Sequence, residues 1–167
     1  MSRRVSYLKE SDLFYNLTPT QLEMVDSVCE EGVYQEGEII TAENTREKEL
    51  YLIIKGDVEV LINPGLVAPR PGVTAKPEII AILGRGQSFG EIALVDEGVR
   101  TASVRAAGKE TMLLKISRER LLLLCNNYPE LGYKVMYNLA IDLANKIRNT
   151  DLRIRETLLY QRREPGK

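Results

Sequence analysis

Glu91 and Arg100 are the two charged residues of this 167-residue chain whose setting could do chemistry. They bracket part of SFGEIALVDEGVRTASVRA, residues 88–106, with the apolar run Ile92-Ala93-Leu94-Val95 and the turn Asp96-Glu97-Gly98 between them. Gly90 lets main-chain N–H groups approach whatever lies above it, and Ile92-Ala93-Leu94 suits one short helical turn anchored in the core. A helix start preceded by glycine attracts an anion through free N–H groups and a partial positive charge. Arg100 adds a full charge and a planar donor fork suited to phosphate. Glu91 is the odd member, because a carboxylate repels phosphate. It can, however, accept hydrogen bonds from a ligand hydroxyl such as a ribose 2′-OH. Carboxylate for sugar and arginine plus amides for phosphate suit a small nucleotide. An exposed Glu91–Arg100 salt bridge across the turn, contributing ~0–1 kcal/mol, accounts for the same two charges.

Other chemistries are largely closed. The chain has no histidine, which removes the commonest metal ligand and the usual general base. Ser-His, Cys-His and His-carboxylate metal sites are therefore excluded, and an enzyme is not expected. Cys29 and Cys125 stand far apart without a CxxC pairing and read as buried free thiols in a reducing, cytoplasmic setting. A net charge of -1 does not suggest a nucleic-acid binder. No apolar run approaches the roughly 20 residues that cross a bilayer. The start, MSRRVSYLKESD, is basic but lacks the apolar stretch of a signal peptide.

The elements that must position the two charges can be read in outline. A short amphipathic piece at residues 11–14 precedes a helix opened by Thr18-Pro19-Thr20-Gln21, with Thr18 as N-cap, Pro19 in the first turn and Gln21 closing a capping box. Leu22, Val25, Val28 and Cys29 fall on one helical face, and Gly32 reads as the C-cap. From Val33 the period becomes that of strands. VYQEGEIITAE breaks at Glu36-Gly37, and ELYLIIKGDVEVLI is two strands joined at Lys55-Gly56-Asp57, with Val58, Val60 and Ile62 on one face and Glu59 and Leu61 on the other. Residues 63–77 hold four prolines and two glycines and read as a loop. EIIAILGRGQSF resumes as a strand ending at Gly84-Arg85-Gly86, and RTASVRAAGKETMLLKIS is two strands about Ala107-Gly108-Lys109. Many short strands with regular turns predict a sandwich, barrel or jelly roll.

The last third turns helical. Ser117 caps RERLLLLCNN, and Pro129 restarts a helix running to about Gln161. Along it Ala140, Leu143, Ile147, Thr150, Ile154 and Leu158 keep a seven-residue rhythm. Roughly 33 residues at ~1.5 Å rise make about 50 Å, longer than a small β-domain is wide. The overhanging apolar seam is expected to pair with a second copy, giving a homodimer. The mild basic excess after Lys146 reads as a solvated helix face.

FGEIALVDEGVRTASV resembles the phosphate-binding cassette of cyclic-nucleotide-binding domains, as found in the catabolite activator protein, cAMP-dependent protein kinase regulatory subunits and cyclic-nucleotide-regulated channels. The Glu91-to-Arg100 spacing matches the family's. LFYNLTPTQLEMV, YQEGEIITAE, LYLIIKGDVEV and ILGRGQSFGE are similar to family segments in family order. The resemblance implies a mainly β fold with flanking helices: an eight-stranded jelly-roll barrel with N-terminal helices at 1–128, then a long C-terminal helix and short tail at 129–167. It implies cAMP or cGMP as ligand and no other cofactor or metal. Phe89, Gly90, Glu91, Ile92, Ala93, Arg100, Thr101 and Ala102 form the implied site. In it Glu91 accepts from the ribose 2′-OH, Arg100 binds the exocyclic phosphate oxygen, and the amides of Gly90, Ile92, Ala93 and Ala102 line the sugar-phosphate. Thr101 stands where relatives responding to cGMP often carry threonine, and it permits cGMP without requiring it. Asn145, Asn149 and Thr150 are the candidates for capping the base from the long helix.

The expected function is a non-catalytic sensor of cAMP and/or cGMP that signals through its C-terminal helices to a protein effector. The alternative is a degenerate jelly roll serving as a ligand-free dimerisation or interaction scaffold, against which the intact Gly90, Glu91 and Arg100 weigh. A metal-dependent jelly-roll enzyme is disfavoured by the missing histidines. The DNA-reading helix-turn-helix that some relatives append is not present in these residues, so DNA binding is not expected of them.

Overall fold

In a computed structural model, which describes residues 2–67 and 76–163, eight strands form two four-stranded antiparallel sheets flanked by helices at both ends of the sequence. The order is α1 (Arg3–Glu10), a 3-10 turn (Asp12–Phe14), α2 (Pro19–Asp26), β1 (Cys29–Gln35), β2 (Ile39–Thr41), β3 (Glu49–Lys55), β4 (Val58–Ile62), α3 (Pro64–Val67), β5 (Glu78–Leu83) and β6 (Ser88–Phe89). A 3-10 turn at Glu91–Leu94, β7 (Ser103–Ala106), β8 (Glu110–Ser117), α4 (Arg118–Asn127) and α5 (Pro129–Arg163) follow. One sheet runs β1-β8-β3-β6 and the other β2-β7-β4-β5, the jelly-roll arrangement expected.

The apolar run of β3 shows why two cores form. Side chains alternate across a strand. Leu50, Leu52 and Ile54 face one cluster with Val5, Leu8, Phe14, Leu121, Leu131 and Val135, beneath the helices. Tyr51 and Ile53 face the other cluster with Ile40, Val58, Phe89, Val104 and Leu113, between the sheets. A strand covered on both sides needs an apolar residue at every position, and LYLII supplies it. β8 divides likewise, with Leu114 and Ile116 towards the helices and Leu113 between the sheets.

Several sequence readings change. The basic start is a helix, α1, capped by Ser2 and burying Val5 and Leu8. α2 has the expected capping box but stops at Asp26, and Gly32 lies inside β1 opposite Leu113 rather than capping a helix. Val28 and Cys29 thus leave the helical face, because the antiparallel ladder from Cys29–Ile116 to Gln35–Glu110 satisfies the main chain there. The turn at Gly56 does not close a hairpin: β3 belongs to one sheet and β4 to the other. The β4 alternation also fails, since a register shift between Val60 and Leu61 turns Leu61 inward, to 6% exposed. The expected loop begins with the helical turn α3, where Asn63 Oδ1 accepts from Gly65 N. Residues 68–75 of it lie outside the described residues.

α4 and α5 meet at Gly132, where a Cβ would lie 2.7 Å from the carbonyl oxygen of Cys125. α5 then buries Leu131, Val135 and Leu139 before running on with Ile147, Ile154 and Leu158 exposed. Cys29 and Cys125 are buried and unpaired, as read from the sequence.

Candidate functional site

Gly90 makes the cassette possible. Its φ is +77°, the left-handed region, and a Cβ there would sit 2.6 Å from Arg100 Nη1 and 2.7 Å from the Glu49 carbonyl oxygen. From this residue the chain turns into the 3-10 turn Glu91–Leu94, with Leu94 buried and Ile92 exposed. The Ala93 amide closes that turn on Gly90 O at 3.2 Å, so of the implied amides it already has a partner. Asp96 Oδ1 accepts from Gly98 N at 3.0 Å and shapes the turn back towards Arg100.

Glu91 and Arg100 are both buried, 5% and 8% exposed, but they do not pair with each other. Arg100 donates from Nη1 to Gly90 O at 3.2 Å and from Nη2 to Glu49 O, and its Nε has no partner among the described residues. Two neutral carbonyls orient the guanidinium without cancelling its charge. Glu91 Oε1 meets Lys146 Nζ at 2.9 Å. Lys146 also lies 2.9 Å from Asp142 Oδ2 and donates to Ser88 O at 3.2 Å. Burial tends to lower the Lys146 pKa, but the Glu91 and Asp142 carboxylates outweigh it and raise the value, keeping the amine charged. The simple salt bridge that the sequence allowed between Glu91 and Arg100 is thus replaced by a different pairing.

These groups line a cavity of about 540 Å³, within the usual range for a small-molecule site. Its walls include Gly90, Glu91, Ile92, Ala93, Arg100, Thr101 and Ala102 from the cassette and Ile80, Ile82 and Leu83 from β5. Phe89 lines it too, held by stacking on Tyr51 with ring centroids 4.9 Å apart. α5 closes one side with Asp142, Asn145, Lys146, Asn149, Thr150 and Arg153, and Arg153 donates to Ile80 O. All three base-capping candidates therefore reach the cavity wall.

Lys146, Asp142 and Thr41 were missed by the sequence reading. The α5 lining residues recur at three- and four-residue intervals, a polar stripe beside the apolar seam, and that spacing was the available signal. Thr41 lines the cavity from β2, is 2% exposed, and its Oγ1 has no partner among the described residues. A threonine in a strand gives no such warning. Among the described residues no cluster of His, Cys, Asp and Glu is placed to hold a metal ion, and no helix is long and apolar enough to cross a membrane.

A jelly roll whose cavity carries a glycine-led 3-10 turn, a buried carboxylate and a buried guanidinium defines a class of ligand-binding domain. The family described as "Cyclic nucleotide-binding domain" matches residues 31–128, and the chain belongs to it. The chain is similar to the cyclic AMP receptor protein of Thermus thermophilus, 33% identical over 88% of this chain and 62% of that one. It is also similar to a cGMP-dependent protein kinase of Drosophila melanogaster, 30% identical over 91% of this chain and 16% of the kinase. The chain thus spans under two thirds of these relatives' lengths. Among solved structures, the catabolite activator protein of Thermus thermophilus superposes with a TM-score of 0.71 at 32% identity, covering 88% of this chain and 63% of that one. A cyclic nucleotide-binding domain from Methylobacillus flagellatus shares the fold, with a TM-score of 0.75 at 24% identity over 98% of this chain and 83% of its own.

Proposed function

We propose that this chain is a non-catalytic sensor that binds cAMP or cGMP in the cavity between the cassette and α5 and signals occupancy through α4 and α5. The observation carrying the reading is Arg100: a buried guanidinium, held only by carbonyls among the described residues, with Nε unpartnered beside a cavity. A buried charge so placed gains most when an anion arrives. The exocyclic oxygens of a cyclic phosphate meet Arg100, and the ribose 2′-OH donates to Glu91. The amides of Gly90, Ile92 and Ala102 line the sugar-phosphate, and Asn145, Asn149 or Thr150 faces the base. The relatives named for cyclic AMP and for cGMP leave both bases in play.

About 22 heavy atoms at roughly 0.3 kcal/mol each reach about 7 kcal/mol, a micromolar Kd. α5 acts in this reading as a lid, and ligand binding shifts its equilibrium only by its differential affinity for the closed and open positions. The exposed seam of Ile147, Ile154 and Leu158 suits a second copy of α5, so we assign a homodimer, with a protein effector reading the helix position. Calorimetric titration of nucleotide-free protein with cAMP and with cGMP, alongside Arg100→Ala, tests the reading. Micromolar binding lost in the variant supports it. Absence of heat with both nucleotides in folded wild type removes it.

A further inference from the structure

A cavity that is to receive a monoanion is lined here by five carboxylates against three cations, Arg100, Lys146 and Arg153. Glu91 is nine-tenths buried in the cassette, and Asp142 shares Lys146 with it from α5. An anionic ligand entering between uncompensated carboxylates is repelled, and the low dielectric of a closed cavity strengthens that repulsion. Lys146 is the cation placed to cancel it. Its Nζ lies 2.9 Å from Glu91 Oε1 and 2.9 Å from Asp142 Oδ2, and it donates to Ser88 O at 3.2 Å.

We propose that Lys146 is a further ligand-binding determinant carried by the lid helix: its ammonium, bridging Glu91, Asp142 and Ser88 O, makes the carboxylate-lined cavity acceptable to the anionic cyclic phosphate. This rests on the nucleotide-sensor reading and deepens it. The amine engages Glu91 through Oε1, leaving Oε2 for the ribose hydroxyl, so lysine and ligand share the carboxylate rather than compete for it. The charge resides on α5 while the carboxylate it serves resides in the cassette. Glu91 therefore keeps its cation only with the helix closed, and anion binding favours the closed helix by the same contact. The raised Lys146 pKa keeps the amine protonated at neutral pH.

The test is calorimetric titration of wild type, Lys146→Gln and Lys146→Arg with cAMP and with cGMP, each variant first shown to melt cooperatively. Glutamine keeps the length and a hydrogen-bond donor but removes the charge, whereas arginine restores the charge. The expected result is a loss of about tenfold or more in affinity for Lys146→Gln, the scale of one charge-assisted contact, with Lys146→Arg within about threefold of wild type. Equal affinity in wild type and Lys146→Gln overturns the proposal and leaves the sensor reading standing. Tighter binding by Lys146→Gln also overturns it, making the lysine a competitor for Glu91. An arginine variant as weak as the glutamine variant overturns the charge argument in favour of shape. A wild type that binds neither nucleotide removes the sensor reading and this inference together.

Discussion

Arg100 Nη1 donates to the main-chain oxygen of Gly90 at 3.2 Å, not to the carboxylate of Glu91 one residue further on. The guanidinium is therefore aimed by the backbone of the cassette it serves, and its aim depends on the Gly90 conformation. Gly90→Ala forces a side chain into the left-handed region, at a cost of about 1–2 kcal/mol, and drives a Cβ against Arg100 Nη1 and Glu49 O. We expect a melting temperature lower by at least ~3 °C and loss of nucleotide binding, read by thermal unfolding and titration. Wild-type stability and binding in this variant would show that the cassette does not need the glycine.

Thr101 is exposed at the cavity wall next to Arg100. If the Thr101 hydroxyl bonds both the cyclic phosphate and the 2-amino group of guanine, Thr101→Ala lowers cGMP affinity by about tenfold, the scale of one or two lost hydrogen bonds, and cAMP affinity less. Titration with both nucleotides gives the ratio. Equal losses would assign the hydroxyl to the phosphate alone.

Thr41 carries a buried hydroxyl without a partner among the described residues. Such a group costs about 1–3 kcal/mol when desolvated, and valine has nearly the same shape. Thr41→Val is expected to raise the melting temperature of the ligand-free protein while weakening nucleotide binding. A fall in ligand-free stability would mean that the hydroxyl is already satisfied, by water or otherwise.

Burial pushes the Cys29 thiol pKa up to about 12, with Asp26 adding to the shift. The folded value lies above the ordinary value of 9.0, so the folded state holds the proton more tightly than the unfolded chain. The resulting stability is fully present below pH 9.0 and is lost as pH rises towards 12. Denaturant titrations at pH 8 and pH 10.5 are expected to show the decline, reduced in Cys29→Ala relative to its own pH 8 value. Thiol-labelling reagents at pH 8 are expected to modify Cys29 only on unfolding.

Ile147 is 62% exposed on the α5 seam, next in sequence to the cavity-lining Lys146 and so turned about 100° round the helix from it. If two copies of α5 pair, Ile147→Lys places like charges at their interface and light scattering reports a monomer where wild type is a dimer. A monomeric wild type removes the paired-helix assignment.

Much of this architecture is legible locally. The Thr18-Pro19-Gln21 capping box, the helix restart at Pro129 and the one-turn helix after Gly90 rest on the dihedral preferences and hydrogen bonds of residues close in sequence, and all three form. The double-sided apolar run of β3 marks a strand by residue type, and the Glu91-to-Arg100 spacing marks the cassette. Where local signals met tertiary demands, they lost. Gly32 reads as a helix stop but joins β1, because β8 offers that main chain a ladder. The Gly56 turn looks like a hairpin, yet Asp57 leads into the other sheet, where Val58 pairs with Ala106 and Leu83.

The sequence by itself determined which residues carry charge at the cassette, the helix starts at Thr18, Ser117 and Pro129, and the family to which the chain belongs. Only the tertiary structure decided the partners. Arg100 could have paired with Glu91 across the turn. Instead the left-handed Gly90 turns its carbonyl, with that of Glu49, towards the guanidinium, and α5 delivers Lys146 to the carboxylate. Turn and helix preferences act over a few residues, whereas the partner of a buried charge is set by whichever distant element packing brings within about 3 Å of it.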